Sequence, residues 1–220
     1  MSATPSPPQF PEAGALFYQE LTVNNERPWW QANKARWQHV VRDPMERIMA
    51  TLQPEFGEAR VFRPYRDLRY GKDKTPYKTH QGAYVETMPG AGWYAELGTG
   101  GISTGGGFYR VRPRELAAIR RAIDDAARGH ELELVLAELT DAGWEVRGDA
   151  LITAPRGYDQ SHPRIELLRH TSLAVRRAIG PEVSGEDAVA ERIAADWREI
   201  EALVAWVSDE LQKVALTEER

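Results

Sequence analysis

The sequence predicts a single α+β domain with a largely antiparallel or mixed central sheet and helices at both ends. Helical periodicity is confined to the first 57 residues and to those after Pro113. Short β-prone segments bounded by Gly or Pro occupy the region between about Val61 and Tyr109. No compositional break or internal repeat divides the chain. Segregation of helices from strands is typical of the α+β class rather than of alternating α/β folds.

The N-terminal part predicts a tail followed by three helices. Residues 1–9 are rich in Pro and Ser and predict a disordered tail, so the globular domain is expected over residues 10–220. Apolar residues then recur on one helical face, and Pro and Asn mark the expected ends. The first predicted helix begins at Pro11 and ends at Asn24-Asn25, and the second begins at Arg27-Pro28. The third begins after Pro44 and is stopped by Pro54 and Gly57.

The middle of the chain predicts strands. Four short segments combine β-branched or aromatic residues with flanking turn residues. These segments are Val61-Phe62, Leu68-Tyr70, Ala83-Val85 and Trp93-Leu97. The glycine-rich run that begins at Gly98 is the least helical part of the chain.

The second half predicts helices, one hairpin and a long terminal helix. One helix extends from Pro113 to Gly129 and another ends at Gly143. The residues around Arg147-Gly148-Asp149 predict a hairpin that joins 144–146 to 151–153. From Val189 to Val214 apolar residues step by three or four, which predicts a long amphipathic helix. Such a helix can brace the domain or form a dimerising seam.

Composition limits the classes of protein that the chain can belong to. It has 220 residues, is 42% hydrophobic and 28% charged, carries a formal net charge of −5 and lacks cysteine. The absence of cysteine therefore excludes disulfides and thiolate chemistry, and it is consistent with a protein of a reducing compartment. The chain has no leader pattern and no apolar run long enough for a membrane span, so we expect a cytoplasmic protein without a membrane partner. The acidity argues against a general nucleic-acid coat.

Motifs for common cofactors are absent. The glycine run has the spacing of a phosphate loop at Gly101 and Gly106, but Gly107-Phe108 follows where Lys-Ser/Thr is needed. A dinucleotide fingerprint fails because Ser103 stands at its third glycine. Close approach of a neighbouring strand is the commoner reason for such glycines. The five histidines lack zinc spacing, so no metal site is expected, and the cofactor stays unknown.

Residues 60–78, RVFRPYRDLRYGKDKTPYK, form a basic and aromatic stretch within this acidic chain. Seven of the nineteen positions are Arg or Lys and two are acidic. Guanidinium and ammonium groups at a turn beside tyrosines suit a phosphate or carboxylate ligand. Alternatively, Arg66–Asp67 and Lys72–Asp73–Lys74 form structural ion pairs. Charge clusters of this kind occur in both settings, so the residues leave both interpretations open.

Three strings resemble the signature of a widespread uncharacterised family, domain of unknown function 2461. They are VNNERPWWQANKARW, YRDLRYGKDKTPYKTHQGAY and APRGYDQSHPRIELLR, in this order. The resemblance covers the chain from about Phe17 to the final helix. It implies a fold and a family, without an activity. The family often has an acidic residue before His-Pro, whereas this chain has Ser161 before His162, which weakens a catalytic role for this histidine.

The three strings together define the candidate ligand-binding residues, which we expect to converge in the fold. Asn24 and Asn25 are included in this expectation, although both can act simply as helix caps. No catalytic residue is assigned. The candidate ligand-binding residues are Arg27, Lys34, Arg66, Asp67, Arg69, Lys74, Tyr77, Lys78, Tyr158 and His162.

Two functions of different classes are consistent with this pattern. The first is binding, or turnover, of a small anionic ligand that carries phosphate or carboxylate at a basic, tyrosine-lined site. The second is a non-enzymatic interaction in which the basic strand-turn contacts nucleic acid or an acidic partner. Overall acidity favours the small ligand over a long polyanion. The sequence leaves the oligomeric state open.

Overall fold

The computed structural model describes residues 8–67, 69 and 73–218, and it confirms the predicted α+β class. Helices occupy both ends of the chain, and the sheet is antiparallel. The predicted tail lies outside the described residues except for Pro8 and Gln9. The strands are β1 (Ala59–Val61), β2 (His80–Met88), β3 (Ala91–Gly98), β4 (Gly101–Phe108), β5 (Glu145–Arg147) and β6 (Leu173–Ala178).

The helices follow the predicted periodic segments closely at the N-terminus. A π-helical segment, Gln38–Arg42, joins the second and third helices without a break. Pro28 stands in the first turn of its helix, where the missing N–H costs nothing. The helices are α1 (Glu12–Val23), α2 (Arg27–Trp37), α3 (Asp43–Phe56), α4 (Pro113–Asp124), α5 (Ala126–Asp141), α6 (Ile165–Arg169), α7 (Glu186–Glu199) and α8 (Glu201–Glu218).

The strand order in the sheet is β1-β2-β3-β4-β6-β5. Two-residue turns at 89–90 and 99–100 connect β2 to β3 and β3 to β4, and so short a connection requires antiparallel neighbours. β1 pairs with β2 in the register Arg60 opposite Tyr84. At the other edge, β5 pairs with β6 in the register Val146 opposite Val175.

The chain forms two compact units. The first comprises the described residues of Met1–Val85, Tyr94–Ser103 and Ala178–Ala194. The second comprises Glu86–Trp93, Thr104–Arg177 and the described part of Ala195–Arg220. The boundaries fall within β2, β3, β4, β6 and α7.

Each unit has its own apolar core. In the first unit the amphipathic faces of α1, α2 and α3 bury large side chains, among them Phe17, Tyr18, Leu21, Met45 and Ile48. In the second unit buried tryptophans and the inner faces of α4 and α8 dominate, with Phe108, Ile119, Trp144, Trp197 and Trp206 all nearly inaccessible. Burial of such side chains contributes about 1.5–3 kcal/mol each, which is the main term opposing chain entropy.

Close backbone approach explains the glycine run. A Cβ on Gly105 would lie 2.1 Å from the carbonyl oxygen of Val175, and one on Gly107 would lie 2.2 Å from that of Leu173. Both carbonyls belong to β6, the neighbour of β4 in the sheet. On Gly106 the Cβ would lie 2.8 Å from Ile200. A neighbouring strand, rather than a ligand, is therefore what approaches these glycines.

The predicted hairpin around Arg147-Gly148-Asp149 is wrong. β5 pairs with β6, and residues 151–153 form no strand. A Cβ on Gly148 would lie 2.0 Å from the Ser172 carbonyl oxygen, so this glycine also marks close approach of a distant segment instead of a tight turn. The expected strand Leu68-Tyr70 lies outside the described residues apart from Arg69.

Two helix boundaries differ from the prediction. α4 ends at Asp124, and Asp125 caps α5 by accepting hydrogen bonds from Ala127 N and Arg128 N. Gly129 thus lies inside α5, where a Cβ would lie 2.1 Å from the carbonyl oxygen of Ile123. The predicted terminal helix is present as α7 and α8, which are consecutive and separated by Ile200.

The described helices include none that is both long and apolar enough to cross a bilayer. The described side chains also form no cluster of three or more His, Cys, Asp or Glu that could hold a metal ion.

The glycine run provides a test of the close contact between β4 and β6. We expect Gly105→Ala to destabilise the fold by about 1–3 kcal/mol, because the added methyl group forces the two strands apart. Urea denaturation measures the change. Gly100→Ala is the matched control, since a Cβ there meets nothing within 4 Å. Equal stability of the two variants would contradict the explanation.

Candidate functional site

A short antiparallel ribbon holds the second family string in the first unit. Tyr65 and Tyr77 form a β-bridge, Arg66 N donates to Pro76 O at 3.0 Å, and Lys78 N donates to Pro64 O at 2.8 Å. The ribbon leads directly into β2. The side chains of the basic stretch are therefore placed by backbone pairing on both sides of the connecting loop.

Asn25 attaches this ribbon to the N-terminal helices. Its Nδ2 donates to Tyr77 O at 2.9 Å, and its Oδ1 accepts from Tyr77 N at 3.1 Å. The side-chain amide thus replaces a neighbouring strand for one residue of the ribbon. Asn24 acts as the helix cap that the sequence allows, since its Nδ2 donates to Glu20 O.

Tyr77 packs into an aromatic cluster. Its ring stacks on Trp30 with centroids 4.3 Å apart, and Tyr77 is 5% exposed. Burial raises the pKa of Tyr77, the nearby Tyr65 adds to this, and Arg27 partly opposes it. Tyr65 is 52% exposed, with its ring 5.8 Å from that of Tyr77. Of these two tyrosines, only Tyr65 can present a ring to a ligand without unpacking the cluster.

The tip of the ribbon forms exposed ion pairs. Arg69 donates through Nε and its N–H to Asp67 Oδ1, and its terminal nitrogen lies 2.8 Å from Asp67 Oδ2. These bonds lower the pKa of Asp67 to about 2. Arg66 pairs with Asp73 at 2.8 Å. These two ion pairs differ from the pairs of sequence neighbours, Arg66–Asp67 and Lys72–Asp73–Lys74, that the sequence offered as an alternative. Lys72 lies outside the described residues.

Lys78 differs from the tip residues because no carboxylate forms an ion pair with it in the described part of the chain. Its Nζ lies 5.4 Å from the centre of the Phe62 ring. Partial burial lowers the pKa of Lys78, and the charges of Arg63 and Arg66 lower it further. The charges of Arg63 and Arg66 thus act on an ammonium that is partly desolvated.

His80, at the start of β2, extends this cationic arrangement. Burial lowers the pKa of His80, Glu96 opposes the shift, and Lys78 and Arg66 lower it further, so the imidazole is neutral at pH 7. His80 Nε2 lies 3.9 Å from Glu96 Oε2, which also accepts a 2.7 Å hydrogen bond from Tyr94 Oη.

Backbone contacts hold the base of this arrangement. Gln81 is 1% exposed, and its Nε2 donates to Phe62 O at 2.7 Å and to Gly82 O at 3.0 Å. A Cβ on Gly82 would lie 2.4 Å from Tyr94 Oη, so glycine leaves room for the phenol. We call Arg63, Arg66, Lys78 and His80 the cationic face.

Sequence reasoning missed part of the cationic face. It omitted Arg63 and His80, and also the adjacent Tyr94 and Glu96. His80 lies two positions after Lys78, and alternate residues of an extended chain share a side, so that spacing could have identified it. Glu96 lies on the next strand of the sheet, and no local pattern links it to His80.

The remaining predicted residues of the first unit lie on exposed surfaces. Arg27 and Lys34 are exposed on α2, two turns apart, and neither forms an ion pair within residues that the structure describes. The charge of Arg27 reaches Tyr77, as the pKa of that tyrosine shows. Lys74 is exposed beside the ribbon tip.

The late string belongs to the second unit, where His162 is bound on both ring nitrogens. Nε2 lies 3.0 Å from Asp124 Oδ1, and Nδ1 accepts a 3.0 Å hydrogen bond from Arg164 N. Since Nδ1 is an acceptor, Nε2 carries the proton and donates to Asp124. Asp124 thus orients the imidazole in the place of an acidic residue before His-Pro.

Neighbouring contacts give the late string an architectural role. Ser161 donates through its backbone and its hydroxyl to Asp159 Oδ1, which closes the turn before His162. Arg164 pairs with Glu133 at 2.9 Å. Burial raises the pKa of Tyr158, whose ring lies 6.2 Å from that of His162. These contacts attach the segment to α4 and α5.

A family model matches residues 14–206, which is most of the chain, and its description is conserved hypothetical protein (DUF2461). The chain belongs to the DUF2461 family. The resemblance that the three strings indicated is therefore confirmed, and this family membership carries no assigned activity. No curated protein and no solved structure matches the chain.

Two clefts lie away from the predicted residues of the DUF2461 protein. One, of about 570 Å³, lies in the second unit between α4 and α8. Its buried Glu210 is already paired with Arg128 and Lys213. The other, of about 440 Å³, lies in the first unit beside the π-helical segment. We prefer the cationic face as the candidate site because, among the residues that the structure describes, no carboxylate pairs with Lys78 or Arg63.

The contact between Asn25 and Tyr77 predicts that removal of the Asn25 amide destabilises the protein. We expect Asn25→Ala to destabilise the protein by about 1–3 kcal/mol, because it leaves the N–H and the carbonyl of Tyr77 without partners. Denaturant unfolding measures this change. Asn24→Ala is the control, with an expected effect within about 0.5 kcal/mol. A neutral Asn25→Ala variant would remove Asn25 from the support of the ribbon.

Replacement of Lys78 should affect stability in the opposite direction to replacement of Asn25. We expect Lys78→Gln to leave the melting temperature at pH 7 unchanged or raised, since the folded state disfavours the ammonium. The unfolded chain keeps this proton up to the ordinary pKa of 10.5, so the advantage of Gln fades between the lowered pKa of Lys78 and pH 10.5.

Melting temperatures of both proteins across this pH range check the expectation for Lys78. Lys34→Gln serves as the exposed-lysine control. A lower melting temperature for Lys78→Gln at pH 7, together with a normal Lys34→Gln variant, would identify Lys78 as scaffold.

Proposed function

We propose that the protein binds a small anionic ligand, bearing phosphate or carboxylate, at the cationic face. The observation that carries the proposal is the partly desolvated Lys78 ammonium beside Arg63 and Arg66, with no carboxylate paired to Lys78 or Arg63 in the described residues. Gathering like charges costs stability, and an anion seated there offsets this cost. Glu96 is directed at His80 and is engaged by Tyr94.

The ligand chemistry follows from the donors. Arg63 and Arg66 offer planar forks that suit two oxygens of one anionic group, whereas Lys78 offers a compact point charge. Arg66 already uses one terminal nitrogen for Asp73, and its buried Nε has no acceptor among the residues that the structure describes. A small anion fits three such donors better than an extended polymer does, and the net charge of −5 opposes a polyanion.

A second function is supported by the ribbon tip. Arg69 and Tyr65 are both more than half exposed, and a cation beside an exposed ring is the arrangement that stacks on nucleic-acid bases. In this alternative, the protein contacts nucleic acid or an acidic partner without catalysis. A cytoplasmic location is part of both proposals.

Thermal unfolding in a titration of inorganic phosphate tests the anion site. A ligand at about 100 times its dissociation constant stabilises the native state by about 2.7 kcal/mol. We expect Arg63→Gln and Arg66→Gln each to weaken phosphate binding by about tenfold or more, because each removes a charge-assisted hydrogen bond. Arg36→Gln is the control, since Arg36 is exposed in the same unit and pairs with Glu20.

Two outcomes of this titration contradict the proposal. If all three variants respond to phosphate as the unmodified protein does, the stabilisation arises elsewhere. If phosphate has no effect but random-sequence duplex DNA binds with log affinity that falls steeply against log salt, the interaction function is correct instead.

A further inference from the structure

The surroundings of Lys78 combine an amine, cations and proton-transfer groups. We propose that Lys78 is a nucleophile that forms an imine with a small carbonyl compound carrying a carboxylate or phosphate group. This inference rests on the proposed anion site and adds a chemical step to it. The geometry that supports it is the position of Nζ over the Phe62 ring, beside Arg63 and Arg66 and near His80.

The nucleophilic form of lysine is the neutral amine, which is scarce at pH 7 for an ordinary side chain. Enzymes that use a lysine amine desolvate it against apolar groups or place another cation beside it. Lys78 meets both conditions, because it is half-buried and the charges of Arg63 and Arg66 act on it. Both factors lower the pKa of Lys78. The population of the attacking form therefore increases near neutral pH.

His80 is the group that can carry the proton. Its imidazole is neutral at pH 7, it is 38% exposed, and the charge of Lys78 acts on it. Glu96, at 3.9 Å from Nε2, stabilises the imidazolium that forms when His80 takes a proton. Tyr94 holds the Glu96 carboxylate through its hydroxyl group.

The reaction balances without an oxidant or reductant. The Lys78 ammonium gives one proton to His80, and the amine attacks the carbonyl carbon, so that a C–N bond forms and the π bond of the carbonyl breaks onto oxygen. The attacking nitrogen, now positively charged, transfers one of its protons to that oxygen. The resulting carbinolamine loses its hydroxyl as water, with the proton returned by imidazolium. The nitrogen lone pair then forms the C=N bond. The products are a protonated imine on Lys78 and one water molecule.

The cationic face determines the class of carbonyl compound. Arg63 and Arg66 lie beside the amine, so the anionic group of the substrate must lie close to its carbonyl carbon. A 2-oxo acid and a short phosphorylated aldehyde share this chemistry. Pyruvate is a suitable probe for a 2-oxo acid, and glycolaldehyde phosphate is a suitable probe for a phosphorylated aldehyde. Glycolaldehyde is the uncharged control.

Borohydride reduction tests the imine. The protein is incubated with each probe and reduced, and the modified residues are mapped by peptide mass spectrometry. The chain has five lysines, so the assignment is direct. We expect one predominant adduct, on Lys78, with at least one anionic probe. Arg63→Gln should lower trapping of that probe by about tenfold or more and trapping of glycolaldehyde to a smaller extent, because Arg63 binds the anionic group and also lowers the pKa of Lys78.

Lys78→Arg separates this inference from the anion site. It keeps the positive charge and removes the nucleophile, so we expect loss of the adduct together with a retained phosphate-induced rise in melting temperature. Lys34→Arg should behave as the unmodified protein. An undiminished adduct in Lys78→Arg would contradict the proposal that Lys78 forms the imine. Equal labelling of all lysines, both in the folded protein and in the protein unfolded by urea, would also contradict it. In that case a retained phosphate response leaves the anion site standing, whereas absence of this response removes both proposals.

Discussion

The reciprocal pair between the Asn25 amide and the Tyr77 backbone is the contact on which the candidate site depends. Residue 77 lies 52 positions from Asn25, and in the described part of the chain no further strand pairs with its ribbon at this point. An unpaired N–H and carbonyl in a half-buried position cost free energy, and one amide side chain satisfies both. Stacking of Tyr77 on Trp30 then fixes the direction of the chain. Lys78 and His80 follow directly and are directed by this anchor.

Charge balance distinguishes the cationic face from the buried ionic groups of the second unit. There, Arg177 lies 4.2 Å above the Trp144 ring and pairs with both Asp196 and Glu199. Arg128 is likewise held by Glu131 and Glu210. Carboxylates thus accompany both of these partly buried arginines. Lys78 is partly desolvated without such a partner in the described part of the chain, and this contrast is the basis for proposing that it binds a ligand.

The family strings combine two kinds of residue. In the late string, His162 donates through Nε2 to Asp124 of α4 and accepts through Nδ1 from the Arg164 N–H, so its imidazole lacks the open acceptor of a general base. Asp124 thus supplies, from a distant helix, the carboxylate that orients His162. In the middle string, the aromatic residues build the support, and Lys78 forms no ion pair with a carboxylate in the described part of the chain. Membership of the DUF2461 family therefore does not make each shared residue part of one site.

Local sequence patterns predicted the class of the fold, the N-terminal helices, strands β2 and β3 and the basic stretch that contains Lys78. These features depend on periodicity and on turn residues within short windows, where local sterics and burial act directly. The tertiary structure alone decided that β5 pairs with β6, that Gly105 meets Val175, and that Glu96 faces His80. Each of these contacts joins residues that are distant in sequence. Their formation depends on which buried faces pack together, and no local spacing encodes that choice.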